Sequence, residues 1–261
     1  MLQIKIGNVQ LENNLILAPM AGITNRAFRL LTKGYGCALV CSEMISSHGL
    51  LMENNGAVEL LKIDERERPI SIQLFGGEPR IISEAARIVE ARGADIVDIN
   101  MGCSVKKIIK SGYGAALLLE PKKIARIIEE VKKAINIPLT IKVRLGWDER
   151  SINVMEVAKA AESAGVDAIT VHGRTRAAGF SGEANWEIVG MVKSEVKIPV
   201  IVNGDIKTPE EAIKALDKSK ADGVMIGRGC LGRPWLFLQI KQYLETGKYN
   251  QDISPEEYKK V

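Results

Sequence analysis

Residues 139–144 read L-T-I-K-V-R and alternate strictly between apolar and polar side chains. Such alternation is typical of a β-strand whose two faces meet different surroundings. Upstream, the apolar residues at 124, 127, 128 and 131 have helical spacing, and Pro121 stands where that helix should begin. A helix followed by a short strand indicates one β/α unit of a parallel sheet.

The same unit recurs on both sides of this stretch. The chain has 261 residues, close to the roughly 250 that a (β/α)₈ barrel needs. The predicted strands are Leu15–Ala18, Ala38–Glu43, Ile70–Phe75, Ile96–Asn100, Leu139–Arg144, Ala168–His172, Val200–Asn203 and Gly223–Ile226. Further helix starts are predicted at Pro209 and Pro234. We therefore predict an α/β fold, a TIM barrel, with an N-terminal β-hairpin over residues 4–11 that closes one end.

Polar residues occur near the C-terminal ends of five of these strands. They are Gln73, Asn100, Lys142, His172 and Asn203. Active sites of such barrels lie at that end, so the pattern predicts a site there. A buried lysine needs an anionic or strongly accepting partner. The alternative is a structural salt-bridge cluster that fills this end of the barrel.

Two glycine-containing loops indicate a phosphate site. Asn203-Gly204-Asp205 follows the seventh predicted strand, and Gly227-Arg228-Gly229 follows the eighth. Barrels commonly bind phosphate with these two loops. Glycines let backbone N–H groups approach phosphate oxygens, and Arg228 adds a positive charge. The sequence thus predicts a phosphate-bearing cofactor.

Composition limits the remaining classes. The net charge of +4 permits an RNA partner without requiring one. The N-terminus has no signal-peptide pattern, and no apolar run reaches the ~20 residues of a membrane span. Four cysteines without a C-x-x-C pair and two histidines argue against a metal site. We expect a cytoplasmic protein with no metal and no membrane partner.

Seven segments together resemble one family, the tRNA-dihydrouridine synthases, and especially their bacterial B-type branch. They are Ala18–Thr24 (A-P-M-A-G-I-T), Gln73–Gly76 (Q-L-F-G), Asp98–Cys103 (D-I-N-M-G-C), Lys142–Arg144 (K-V-R), Val171–Arg176 (V-H-G-R-T-R), Asn203–Asp205 (N-G-D) and Gly227-Arg228. They run in family order from about residue 15 to 247. The resemblance implies reduction of specific uridines in tRNA by an FMN enzyme that uses NADPH or NADH.

The resemblance also implies roles for individual residues. The FMN-binding set would be Pro19, Met20, Ala21, Gln73, Lys142, His172, Asn203, Gly204, Asp205, Gly227 and Arg228. Hydride would pass from flavin N5 to uracil C6, and Cys103 would give a proton to C5. A thiol is mostly protonated at neutral pH, so it can act as an acid. The substrate-binding set would be Asn100, Lys106, Lys107, Arg144, Arg174 and Arg176. Within it, Lys106, Lys107, Arg174 and Arg176 are expected to form a basic rim for RNA phosphates, the alternative being a solvated charged loop.

The chain departs from the family pattern at one position beside the predicted acid. The family usually has proline after this cysteine, and here the residue is Ser104. Proline would stiffen the loop, so we expect serine to loosen it. The other cysteines, Cys37, Cys41 and Cys230, are expected to be small buried hydrophobes.

The C-terminal residues predict a second domain. Ser254, Pro255 and Glu257 form a helix-start pattern. We assign residues 1–247 to the FMN-binding barrel and 248–261 to the start of a truncated helical tRNA-binding domain, as the resemblance implies.

Three other functions fit parts of the pattern. One is an FMN barrel that acts on a free pyrimidine, which would need a small closed pocket. Another is a sugar-phosphate aldolase or isomerase with Lys142 as the reactive amine, which would be colourless. The third is a non-catalytic RNA-binding module, which would have no use for a polar barrel mouth.

Overall fold

Parallel strands form a closed barrel in the structure, a computed structural model that describes residues 3–250. The strands are β1 (Ile4–Ile6), β2 (Val9–Leu11), β3 (Leu15–Leu17), β4 (Val40–Cys41), β5 (Ile45–Ser46), β6 (Ile70–Phe75), β7 (Ile96–Met101), β8 (Leu139–Arg144), β9 (Ala168–His172), β10 (Val200–Asn203) and β11 (Gly223–Ile226). The parallel ladder runs β3-β11-β10-β9-β8-β7-β6-β4. A parallel bridge between Ile16 and Leu39 joins its two ends. The predicted barrel is confirmed.

Helices connect successive barrel strands. They are α1 (Arg26–Gly34), α2 (Ser47–Leu51), α3 (Asn55–Glu59), α4 (Pro79–Ala91), α5 (Lys106–Lys110), α6 (Pro121–Ala134), α7 (Val154–Ser163), α8 (Trp186–Glu195), α9 (Pro209–Ser219) and α10 (Leu236–Thr246), with 3₁₀ turns at Glu65–Glu67, Gly114–Leu119 and Arg228–Cys230. None of the helices within residues 3–250 is long and apolar enough to cross a bilayer.

Proline marks the helix starts as predicted in two of three cases. Pro121 and Pro209 occupy the first turns of α6 and α9. The third position was wrong, because α10 begins at Leu236 after its N-cap Trp235, and Pro234 lies before the helix. The helix start predicted at Ser254 lies outside the described residues.

The N-terminal hairpin closes the bottom of the barrel. β1 and β2 pair antiparallel, and Ile4, Ile6 and Leu11 are buried. These side chains cluster with Ile96 and Ala168, the first residues of β7 and β9. The hairpin predicted over residues 4–11 is confirmed, and it leaves the opposite end of the barrel open for a site.

The second barrel strand is shorter than predicted. β4 stops at Cys41, and pairing with β6 resumes only at Ile45. In between, the Gln73 N–H donates to Ser42 Oγ at 3.0 Å, and that hydroxyl donates to the Glu43 carbonyl at 2.8 Å. A serine hydroxyl thus replaces a backbone carbonyl in the ladder, a competition that strand periodicity does not reveal.

A buried ion pair fixes the loop that follows β3. Arg29 Nε lies 2.9 Å from Glu67 Oε1, and the two side chains are 2% and 0% exposed. Arg29 Nη1 also donates to the Thr24 carbonyl at 2.8 Å. The pair therefore ties the A-P-M-A-G-I-T loop and α1 to the turn that precedes β6.

We expect Glu67→Ala to lower the free energy of unfolding by about 3–5 kcal/mol, because the Arg29 guanidinium would stay buried without its counter-ion. Chemical denaturation followed by circular dichroism measures the change. The matched control is Glu130→Ala, since Glu130 pairs with Lys133 on the surface and should leave the midpoint nearly unchanged. Equal midpoint shifts in both variants would contradict the assignment.

Candidate active site

A cavity of about 1240 Å³ opens at the C-terminal ends of the barrel strands. It is larger than the roughly 300–1,000 Å³ of a typical small-molecule site. Its walls include most of the residues predicted for a site: Pro19, Met20, Ala21, Gln73, Asn100, Cys103, Lys142, Arg144, His172, Arg174, Asn203, Gly204, Asp205, Gly227 and Arg228. Residues far apart in the chain therefore converge on one space.

Three predicted residues lie outside the cavity wall. Lys106 and Lys107 begin α5, where both are exposed. Arg176 is half-buried, with its guanidinium carbon 4.1 Å from the centre of the Trp147 ring. The lysines follow the Cys103 loop directly, so they flank the cavity mouth without lining it.

A chain of hydrogen bonds crosses the cavity floor from strand to strand. Thr140 Oγ1 donates to Asp98 Oδ1 at 2.5 Å, and Gln73 Nε2 donates to Asp98 Oδ2 at 2.7 Å. Asn100 Nδ2 then donates to Gln73 Oε1 at 2.9 Å. Burial raises the pKa of the Asp98 carboxyl, and its two hydrogen bonds oppose that rise. Strand register explains the contacts, since Gln73 and Thr140 both lie opposite Asp98.

The loop that carries Cys103 is held on both sides. The Cys103 N–H donates to Asn100 Oδ1 at 2.9 Å, and the Cys103 carbonyl accepts from the Ala115 N–H at 3.0 Å. Arg144 Nε donates to the Gly102 carbonyl at 2.9 Å. These contacts hold the two residues that precede Ser104, and the effect of serine at that position stays a prediction.

Cys103 differs from the other cysteines in its exposure. It is half-buried at the cavity wall, whereas Cys37, Cys41 and Cys230 are buried. Burial raises the pKa of the Cys37 thiol to about 12. Within the described chain, no three His, Cys, Asp or Glu side chains gather into a group that could hold a metal ion.

Lys142 presents a cation to the cavity. Its Nζ donates to Asn203 Oδ1 at 2.7 Å, and the Asn203 amide is itself fixed by a 2.8 Å bond to the Met225 carbonyl. Burial and the nearby Arg144 guanidinium lower the pKa of Lys142 to about 8. The Lys142 ammonium keeps two N–H donors that no described residue uses. Because its pKa is lowered, an anionic ligand in the cavity would stabilise its charged form.

His172 is a neutral imidazole at physiological pH. Burial, and then the positive charges of Lys142 and three arginines, lower its pKa to about 2. Its Nδ1 is buried, with no hydrogen-bond partner among the described residues.

Arg174 lies inside the protein rather than on a basic rim. Its Nη2 pairs with Asp205 Oδ2 at 2.6 Å and with the Gly182 carbonyl at 2.6 Å, while Nε reaches the Ser181 carbonyl at 3.0 Å. The side chain therefore ties the loop after β9 to the loop after β10. The Asp205 carboxylate is committed to this tie and to the Ala184 N–H, 2.7 Å away.

The two predicted phosphate loops touch each other. A Cβ added to Gly229 would lie 2.0 Å from the Ile206 carbonyl oxygen, so only glycine permits this contact. Arg228 is exposed, and no carboxylate of the described residues forms a salt bridge with it. A guanidinium without a salt bridge, beside glycine-containing turns, offers donors that suit a phosphate.

Phe180 is a wall residue that the sequence reasoning missed. It is 59% exposed, and the Arg228 guanidinium carbon lies 4.0 Å from its ring centre. Its ring also meets the His172 ring edge-on, with centres 6.5 Å apart. A phenylalanine in an otherwise small and polar loop, in a chain with four phenylalanines, was the available signal.

Comparison with known proteins points to one family. The family model described as "Dihydrouridine synthase (Dus)" matches residues 16–261. A probable tRNA-dihydrouridine synthase of Rickettsia bellii is 47% identical over 94% of this chain and 76% of its own length. The tRNA-dihydrouridine synthase B of Pseudomonas aeruginosa is 44% identical over 94% and 74%.

Solved structures share the fold at low sequence identity. A 2-naphthoyl-CoA reductase complexed with 2-naphthoyl-CoA matches with a TM-score of 0.72 and 16% identity, over 94% of this chain and 52% of that one. Histamine dehydrogenase from Rhizobium sp. 4-9 matches with a TM-score of 0.68 and 15% identity, over 94% and 47%. The chain thus corresponds to about half of each of these larger proteins.

We expect Lys142→Met to stabilise the ligand-free protein at pH 7 by about 1–3 kcal/mol, because it removes a poorly compensated buried cation. The folded-state pKa lies below the ordinary 10.5, so the penalty is full below pH 8. It then fades as pH rises to 10.5, because the native state releases its proton before the unfolded chain does. Denaturation midpoints at pH 7 and pH 10 measure both effects.

The control for this prediction is Lys133→Met, since Lys133 is a surface lysine paired with Glu130. It should shift neither midpoint. A Lys142→Met variant that is less stable than wild type at pH 7 would show that the lysine is already well compensated by the protein itself.

Proposed function

This chain belongs to the dihydrouridine synthase family, and we propose that it reduces the C5=C6 bond of specific uridines in cytoplasmic tRNA. FMN would be the cofactor, with NADPH or NADH as the reductant. The observation that carries the proposal is the convergence of a half-exposed cysteine with cationic and amide donors at the barrel mouth. An acid beside donors for a carbonyl-rich ring suits the reduction of a pyrimidine.

The cavity residues fit FMN. Lys142 would face the pyrimidine end of the flavin ring, where negative charge gathers on reduction, and Gln73 would donate to the ring's polar edge. Arg228 and the glycine loops at 204 and 227 would take the phosphate, in keeping with the unpaired guanidinium. When bound, FMN supplies the hydride that adds to uracil C6.

Cys103 would act as the proton donor. Its thiol would give a proton to C5 of the uracil while Asn100 and Arg144 hold the loop around it. A positioned acid typically contributes 10²–10⁴-fold to a rate, provided its geometry is fixed. The contacts on both sides of the Cys103 peptide supply that fixation in this chain.

A polymeric substrate accounts for the cations outside the cavity. Lys106 and Lys107 would contact tRNA phosphates beside the mouth, and Arg176 would do so from the loop after β9. Drawing a uridine out of folded tRNA costs a few kcal/mol, which such contacts would offset.

The first test is colour and product. We expect the purified protein to be yellow and to release FMN on denaturation. Dihydrouridine should disappear from particular tRNA positions in cells that lack the gene, as mapped by sequencing. A colourless protein that takes up no FMN would contradict the proposal and would favour a sugar-phosphate aldolase with Lys142 as its amine.

The second test is Cys103→Ala. The variant should keep its flavin and still be reduced by NADPH, because the thiol is not part of the flavin wall that we assign. Oxidation of the reduced flavin by tRNA, followed by stopped-flow absorbance, should slow by roughly 10²–10⁴-fold.

The matched control is Cys37→Ala, which removes a buried thiol that does not line the cavity and should retain near-normal tRNA-dependent oxidation. Equal rates in wild type and Cys103→Ala would show instead that Cys103 is a structural residue.

A further inference from the structure

Asp98 is a buried carboxylate to which the proposed chemistry gives no role. It lies in the middle of β7 and is 6% exposed. It forms none of the salt bridges among residues 3–250, and its hydrogen-bond partners are the neutral groups of Thr140 and Gln73. The Lys142 ammonium attracts this carboxylate through space, without a hydrogen bond. A buried charge whose hydrogen bonds come only from neutral groups is costly to keep, so its retention calls for an explanation.

The explanation lies in the direction of the hydrogen bonds. A carboxylate only accepts, whereas the backbone N–H groups of Gly102 and Cys103 only donate. The amides of Gln73 and Asn100 connect these two ends. Because each amide must present nitrogen toward Asp98 and oxygen toward Cys103, both are forced into a single orientation.

This orientation decides what the cavity offers. Gln73 Oε1 is used by Asn100, and Asn100 Oδ1 accepts from the N–H groups of Gly102 and Cys103 at 3.2 and 2.9 Å. Each amide NH₂ group has a second hydrogen, and both side chains line the cavity. What remains for a ligand is N–H donors, which suit the carbonyl oxygens of a pyrimidine or flavin ring.

We propose that Asp98 is the positioning residue of this site, which sets Gln73 and Asn100 as donors and fixes the Cys103 backbone through them. The inference rests on the proposed function for its purpose, but not for its geometry. The positioning role also explains the order of residues in the segment D-I-N-M-G-C. Asp98 and Asn100 share one face of β7, while Cys103 follows the end of the strand within reach of Asn100.

A merely structural role makes a different prediction. If Asp98 only satisfies its neighbours, Thr140 and Gln73 should matter equally. If it orients the amides, the link to Gln73 should matter and the link to Thr140 should not. Thr140→Val is therefore the matched control, because it removes one hydrogen bond to Asp98 and leaves the bond from Gln73 in place.

The experiment is hydrogen–deuterium exchange of the purified protein, followed in peptides that cover residues 101–104. Asp98→Leu should speed exchange of the Gly102 and Cys103 N–H groups by about tenfold, roughly the worth of one hydrogen bond. Asp98→Asn should rescue slow exchange, since its Oδ1 can still accept from Gln73. Thr140→Val should exchange like wild type. If Asp98→Leu folds poorly, Gln73→Leu can replace it, because it breaks the next link of the chain. It should speed exchange of the Gly102 and Cys103 N–H groups by the same factor.

A second readout tests coupling to Cys103. Asp98→Leu should slow tRNA-dependent flavin oxidation in wild type by at least tenfold, yet by much less in the Cys103→Ala background, because both act on one step. If wild type shows no tRNA-dependent oxidation, the proposed function fails while the exchange result still stands.

Three outcomes would overturn the inference. The first is wild-type exchange in both Asp98→Leu and Gln73→Leu. The second is equal acceleration in Asp98→Leu and Thr140→Val. The third is failure of Asp98→Asn to restore slow exchange, which would mean that charge, and not an acceptor, is required.

Discussion

A strand that lines a closed barrel turns every second side chain inward, and an inward polar group must find a partner or a ligand. In this protein that constraint falls on adjacent strands at the same height. Lys142 donates to Asn203, and Asp98 accepts from Gln73 and Thr140. The remaining donors of Lys142 lie at the wall of one cavity. The alternation of apolar and polar side chains along the strands therefore builds both the barrel and the polar site inside it.

Loops at the barrel mouth are held together by hydrogen bonds from buried arginine side chains. Arg144 bonds to carbonyls of the Cys103 loop and of the loop after β9, so one buried guanidinium joins these two loops. Arg174 does the same between the loop after β9 and the loop after β10. Because a guanidinium offers several donors in a fixed geometry, Arg144 and Arg174 each hold loop segments that have no helix or strand hydrogen bonds of their own. The site is therefore preorganised by side chains that touch backbone carbonyls.

The electrostatic balance of the cavity favours an anionic or electron-rich ligand. Burial and neighbouring arginines lower the pKa values of Lys142 and Arg144, and burial followed by these positive charges lowers the pKa of His172. Such a site is less stable alone than an apolar one, and binding of a phosphate-bearing ring would offset the cost. Buried charges that a site needs for function lower the folding stability of the protein, as is common in enzymes.

The sequence by itself determined the barrel, the closing hairpin and the strand ends that form the cavity. Alternation and helical spacing are local signals, and parallel strands bring their C-terminal ends to one edge whatever their separation in the chain. Only the tertiary structure decided how the polar atoms are used. Arg174 was expected on a rim but is consumed by Asp205, and Phe180 reaches the cavity from a loop without periodicity. The break after β4 likewise follows from the Ser42 hydroxyl meeting Gln73. Partner choice depends on distances between residues remote in sequence, which no local pattern contains.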